Sequence, residues 1–231
     1  MNFAFDPGDR PSLPIVGSHH RFPVHRIYCV GRNYADHARE MGGNPEREPP
    51  FFFAKPADAV VESGATIPYP SRTGNLHHEI ELVVAIGREG HDIPLDDADA
   101  YIFGYAVGND LTRRDLQFAS RDAGRPWDTA KGFDHSAPIT AIHAIEDTGL
   151  IEKGEIWLTV NDSMRQRGNI SDLIWSIPEV IVELSKLYTL KPGDLIFTGT
   201  PSGVGPLKPG DEVQGGVELL GTLMFTVAPA D

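Results

Sequence analysis

A series of short runs rich in β-branched and aromatic residues, each closed by a turn, constrains this chain more than any other feature. The runs are Ile27–Val30, Phe51–Ala54, Ile80–Ile86, Phe103–Gly108, Ile156–Val160, Leu195–Thr198 and Leu223–Val227. Each has the length of a strand and is too short for a free-standing helix. They do not alternate regularly with helical segments, so a doubly wound parallel sheet is not expected. Two helices stand out. One follows Asn33, read as its N-cap, and runs to about Met41. The other opens at Ser176, with Pro178 in its first turn and Glu179 three residues on. That is a capping box ahead of Val180, Ile181, Leu184, Leu187 and Tyr188 at helical spacing. A third, shorter helix is expected over Thr112–Gln117. The expected fold is a mixed, β-rich α+β domain with a few packed helices. Residues 1–26 read as an N-terminal arm and residues 27–231 as one domain.

Charge narrows the partners. Lys and Arg number 20 against 33 Asp and Glu, a formal charge of -13 over 231 residues. So acidic a surface repels phosphate backbones and anionic lipid, which excludes nucleic acid and membranes as expected partners. No apolar stretch has the length of a membrane span, and the amino terminus lacks the pattern of a secretory leader. The single cysteine, Cys29, lies in an apolar run and reads as a buried strand residue, not a nucleophile. The expected compartment is the cytoplasm. An acidic substrate would require local positive charge or a metal, because the molecule as a whole repels it.

The segment His78-Glu79-Ile80-Glu81-Leu82-Val83-Val84-Ala85-Ile86 carries the most chemical information. In a strand Glu79 and Glu81 share a face, about 7 Å apart along the chain. Two like charges leading into a buried strand are unfavourable unless a cation compensates them, and a hard cation with oxygen ligands does so. A hydrated strand start accounts for the pair equally well. Asp110, after the strand-like Phe103–Gly108, reads as a third ligand or as a helix cap. His37 and Glu40, at i and i+3, share a helix face, where the carboxylate can orient the imidazole as a general base; an exposed surface pair has the same spacing. Lys55, Arg114, Lys131 and Thr200 sit beside turns, where they are either surface residues or donors to an acidic ligand.

In order along the chain, these segments resemble the fumarylacetoacetate hydrolase family. The resemblance rests on Tyr28-Cys-Val-Gly-Arg-Asn-Tyr-Ala-Asp-His37, Phe52-Phe-Ala-Lys-Pro56, His78-Glu-Ile-Glu-Leu82, Gly104–Gln117, Trp127-Asp-Thr-Ala-Lys131 and Pro192–Pro206, and spans the chain from about Ile27. It implies a β-roll with a few packed helices, a homodimer, and Mg²⁺ or Mn²⁺ held by Glu79, Glu81 and Asp110. It further implies Lys131 beside the keto oxygen of a small diketo acid and His37 with Glu40 as the water-activating pair. Arg114, Gln117, Thr200 and Lys55 are implied as substrate contacts.

The lack of a long N-terminal domain makes the chain most similar to the short acylpyruvase branch, and within it to the bacterial members that cleave fumarylpyruvate in aromatic-acid breakdown. The implied activity is metal-dependent hydrolysis of a carbon–carbon bond in an acylpyruvate. Oxaloacetate decarboxylation and isomerisation of a hydroxy-dienedioate use the same kind of site, and a non-catalytic keto-acid-binding protein is a more remote reading. Two residues depart from the family pattern: Leu219, where a turn glycine is expected, and Ser136, expected to affect which acyl group fits.

Overall fold

The computed structural model describes residues 2–42 and 47–229. It is a strand-rich α+β roll. Its centre is an eight-stranded mixed sheet in the order Phe51–Lys55, Ile27–Gly31, Leu195–Phe197, Ile80–Ile86, Ile102–Asn109, Ala137–Ile139, Val60–Glu62, with His143–Ala144 also pairing to Ile102–Asn109. A five-stranded sheet runs Ser163–Asn169, Glu155–Val160, Glu212–Val217, Thr222–Ala228, Ala65–Pro68. Three short strands, Thr112–Arg113, Leu76–His78 and Gly205–Leu207, form a small third sheet.

The strand Ile80–Ile86 is buried along its whole length. Its residues alternate between two cores. Ile80, Leu82, Val84 and Ile86 join the larger one, with the five-stranded sheet and the helix Ile177–Leu187. Val83 and Ala85 face the smaller one. Burial on both faces explains why this segment reads as a nearly continuous apolar run. The N-terminal segment contributes to the smaller core. Its strands Ser12–Pro14 and Arg21–Pro23 pair as a hairpin that places Leu13, Phe22 and Val24 there, beside Cys29. Cys29 is fully buried, and burial pushes its thiol up.

The helices differ from the sequence reading at their ends. Ser176 and Glu179 do form the capping box of Ile177–Leu187, and Val180, Ile181 and Leu184 are buried. Leu187 and Tyr188, read as part of the same apolar stripe, are 64% and 43% exposed, because the helix stops at Leu187 and its last turn leaves the core. The first helix is Ala35–Glu40 with Tyr34 as its N-cap. Asn33 does not cap it: its side chain accepts from Trp175 N and donates to Trp175 O and Thr198 O. The third helix is Arg114–Asp122; Thr112 and Arg113, expected within it, pair instead with Leu76–His78. Leu219 lies at φ 75° in the turn before Thr222–Ala228, the left-handed region where a glycine carries no steric cost. Among the described residues no helix is long and apolar enough to cross a membrane.

Candidate active site

Strand pairing brings the three carboxylates together. Ile80 pairs with Asn109, so Glu79 and Asp110 are cross-strand neighbours beyond that pair, on the face opposite Ile80. The joint is pinned by Asp110 N–H donating to Glu79 O at 2.8 Å and Glu79 N–H donating to Asn109 Oδ1 at 3.0 Å. One carboxylate oxygen each from Glu79, Glu81 and Asp110 lies within 4.8 Å of the others, and all three residues are buried.

Cations surround this group unevenly. Lys131, from the short helix Asp128–Lys131, donates to Glu79 Oε2 at 2.7 Å and Asp110 Oδ2 at 2.6 Å. Arg114 donates to Glu79 Oε1 and, at 2.5 Å, to Gln117 Oε1 one helical turn on. Lys55 Nζ lies 2.8 Å from Asp110 Oδ1 at an angle that makes no hydrogen bond, leaving that buried oxygen without a donor. Among the described residues Glu81 contacts no cation and accepts only the Gly199 N–H, at 2.7 Å.

The electrostatics follow. Burial raises the Glu79 carboxyl, but Lys131 and Arg114 outweigh it and hold the group well below the usual carboxylate range. Burial lowers the Lys131 ammonium, but Asp110 and Glu79 hold it above its ordinary value. Glu81 is pushed well up by burial and by the charges of Asp110 and Glu79. A buried carboxylate without its own cation, beside an Asp110 oxygen without a donor, is a donor set suited to a hard divalent ion such as Mg²⁺ or Mn²⁺. Three cationic side chains already balance three carboxylates here. A bound divalent ion therefore leaves the site net positive, which answers the overall charge of -13 for an acidic substrate.

The cleft above the carboxylates is lined by His37, Glu79, Glu81, Asp110, Arg114, Gln117, Lys131 and Thr200. His37 is 6% exposed, and its Nδ1 is 3.2 Å from Glu40 Oε2. Glu40 also accepts the Gly203 N–H. Burial opposes its charge, but the bonds from His37 and Gly203 hold the carboxyl below its ordinary value. The loop carrying Thr200 is set by Thr198, which bonds Leu82 O, and by Gly199 at φ 104°. A side chain at Gly199 would meet Asn33 Cβ at 2.7 Å, so only glycine lets this loop approach the segment that leads into the first helix.

Two expected residues lie elsewhere. Lys55 does not line the cleft: its ammonium sits behind the carboxylates, donating to Leu111 O and Lys131 O. Ser136 is fully buried and donates to Lys131 O at 3.0 Å, so it supports the lysine helix and presents no surface to an acyl group. Other lining residues escaped the sequence reading. Arg32 adds positive charge, Arg121 brings a guanidinium paired with Asp122 at 3.0 Å, and Phe53 and Trp127 form an aromatic wall whose rings are 5.7 Å apart. Arg32 has φ 57° and, among the described residues, no carboxylate partner. Only its place in the Gly31-Arg32-Asn33 phrase hinted at it.

A family model described as fumarylacetoacetate (FAA) hydrolase C-terminal matches residues 26–228. A fumarylpyruvate hydrolase of Ralstonia sp is 47% identical over 184 residues, 80% of this chain and 95% of that protein. The human mitochondrial oxaloacetate tautomerase is 44% identical over 201 residues, 87% of this chain and 90% of that one. Among solved structures, the fumarylpyruvate hydrolase from Pseudomonas aeruginosa in complex with Mn²⁺ and pyruvate matches with a TM-score of 0.97 at 52% identity. The match covers 99% of this chain and 100% of that one.

Proposed function

This chain belongs to the fumarylacetoacetate hydrolase family, and from that premise we propose that it is a metal-dependent hydrolase cleaving fumarylpyruvate to fumarate and pyruvate. The observation that carries the reading is the buried Glu79, Glu81 and Asp110 cluster facing His37 across one cleft. The relatives named for this activity, and the Mn²⁺ and pyruvate in one of them, support it.

Mg²⁺ or Mn²⁺ held by Glu79, Glu81 and Asp110 supplies Lewis acidity at the keto-acid end of the substrate. The chain's own groups do the rest. His37, oriented by Glu40, takes a proton from water as its oxygen attacks the distal carbonyl carbon. The bond between that carbon and the pyruvyl methylene breaks, and its electron pair leaves as the enolate of pyruvate. Lys131 holds positive charge where this negative charge develops. The enolate takes the proton held by His37 at its methylene carbon, and the acyl half departs as a carboxylate, its acid proton passing to solvent. Arg114, Gln117 and Thr200 hold substrate oxygens. Arg32 and Arg121 suit the second carboxylate of a fumaryl group, which an acetyl group lacks. A cytoplasmic homodimer is the setting the family resemblance suggests.

The tautomerase among the relatives favours a second reading, in which only the enol–keto proton transfer of oxaloacetate matters. Rates on fumarylpyruvate, acetylpyruvate and oxaloacetate, measured on one Mg²⁺-loaded preparation, separate the two. Fumarylpyruvate is expected to give the highest kcat/KM, by at least about tenfold. Oxaloacetate turnover without any acylpyruvate cleavage would replace hydrolysis with tautomerisation.

A further inference from the structure

Thr200 is tied to a side chain of the other large sheet, and the direction of every bond in that tie can be assigned. Gln166 is the one buried residue of the strand Ser163–Asn169, at 0% exposure. Its Oε1 lies 3.2 Å from Ile80 N and 2.8 Å from His78 Nδ1. Its Nε2 lies 2.7 Å from Thr200 Oγ1 and 2.8 Å from Pro201 O. A backbone N–H can only donate and a backbone carbonyl can only accept, so this amide fits one way round. Thr200 Oγ1 therefore accepts from Gln166, and its own proton finds no acceptor among the described residues. Thr200 faces the cleft.

We propose that Gln166 is a positioning residue: by donating to Thr200 Oγ1 it commits the Thr200 hydroxyl to donate into the cleft, to a carboxylate or keto oxygen of the substrate. The inference rests on the keto-acid reading of the cleft given above. Through Ile80 the same amide also holds the backbone between Glu79 and Glu81, so one side chain sets the hydroxyl donor against the carboxylates. An apolar residue of equal size would fill the space without setting the direction.

Gln166→Glu keeps the size and still accepts from Ile80 and His78, but it cannot donate; the Thr200 hydroxyl then turns to the new carboxylate. The expected result is a rise of about tenfold to a hundredfold in the Kd of pyruvate, by calorimetric titration of the Mg²⁺-loaded protein. The KM for fumarylpyruvate is expected to rise alongside while kcat falls less. In a Thr200→Val background, where there is no hydroxyl to direct, Gln166→Glu should weaken pyruvate binding by less than about twofold further. If the Glu variant does not fold, Gln166→Met takes its place in the same cycle; it also releases the Ile80 N–H, so its loss of pyruvate affinity should shrink, without vanishing, in the Thr200→Val background. Full additivity, or wild-type pyruvate affinity in the single variant, overturns the assignment. Wild-type protein that binds no pyruvate sinks the keto-acid reading itself, and this inference with it.

Discussion

Replacing His37 with Ala is expected to lower kcat for fumarylpyruvate cleavage by about 10²–10⁴-fold while metal and pyruvate binding persist. The imidazole lines the cleft, is nearly buried, and has Glu40 at 3.2 Å to fix one ring nitrogen. Glu40 is itself held by the Gly203 N–H and kept ionised, so the pair is oriented before substrate arrives. None of the three carboxylates bonds to His37, which is why the loss should fall on kcat and not on metal occupancy. Chemistry that needs only an enolate and no attacking water is expected to survive the substitution. Oxaloacetate turnover by the His37→Ala protein, measured beside its lost hydrolysis, separates the two roles. Stopped-flow turnover of a metal-loaded sample gives the rate, and an unchanged value would remove His37 from the mechanism.

Glu81→Ala is expected to weaken Mn²⁺ binding by more than about 100-fold and to abolish turnover with it. Of the three carboxylates Glu81 alone contacts no cation among the described residues, so its charge is the one the protein's own groups compensate least directly. Without it, Glu79 and Asp110 remain matched by Lys131, Arg114 and Lys55 and have little call for an ion. Stability should move the other way. The Glu81 carboxyl is raised in the folded protein, so in metal-free protein its ionisation opposes folding progressively as pH climbs from its ordinary value through the raised one. Metal-free Glu81→Ala protein should therefore be no less stable than metal-free wild type at neutral pH. Added Mn²⁺ should stabilise only the wild type, by about 2.7 kcal/mol at a hundredfold excess over Kd. Metal content after dialysis and thermal melting with and without Mn²⁺ check both halves. One Mn²⁺ retained per chain would remove Glu81 from the ligand set.

The sequence disclosed those parts of the fold whose cause is local. Ile80–Ile86, broken only by Glu81, is a nearly continuous apolar run because both its faces are covered, and its bounds are as read. The capping box at Ser176 needs only residues three apart. What stayed hidden depends on distant partners. Asn33 looks like a helix cap, yet its side chain bridges Trp175 and Thr198, more than 140 residues away. The strand Glu212–Val217 is absent from the runs read in the sequence because it carries Gly215 and Gly216, and each glycine admits a neighbour, Ile80 in one case and Trp157 in the other.

The site divides in the same way. Residue types at strand and helix spacing raised Glu79, Glu81, Asp110, His37 and Glu40 as candidates, and turn-flanked donors raised Lys131, Arg114 and Thr200; the family resemblance gave them their roles and added Gln117. Lys55 was expected against substrate as a cation beside a turn, within a phrase that carries the family resemblance; which way its side chain leaves the strand is decided by Leu111 O and Lys131 O. Gln166 gave no signal at all, being flanked by Arg165 and Arg167 in a strand that is otherwise largely exposed.

The most direct measurement follows the enol absorbance of fumarylpyruvate with EDTA-stripped protein, then after addition of Mg²⁺, with products identified by chromatography. No loss before Mg²⁺ and rapid loss after it, with fumarate and pyruvate in equal amounts, is the predicted result. Cleavage at the same rate in EDTA, or Mg²⁺-loaded protein that leaves fumarylpyruvate intact, would contradict metal-dependent hydrolysis of this substrate.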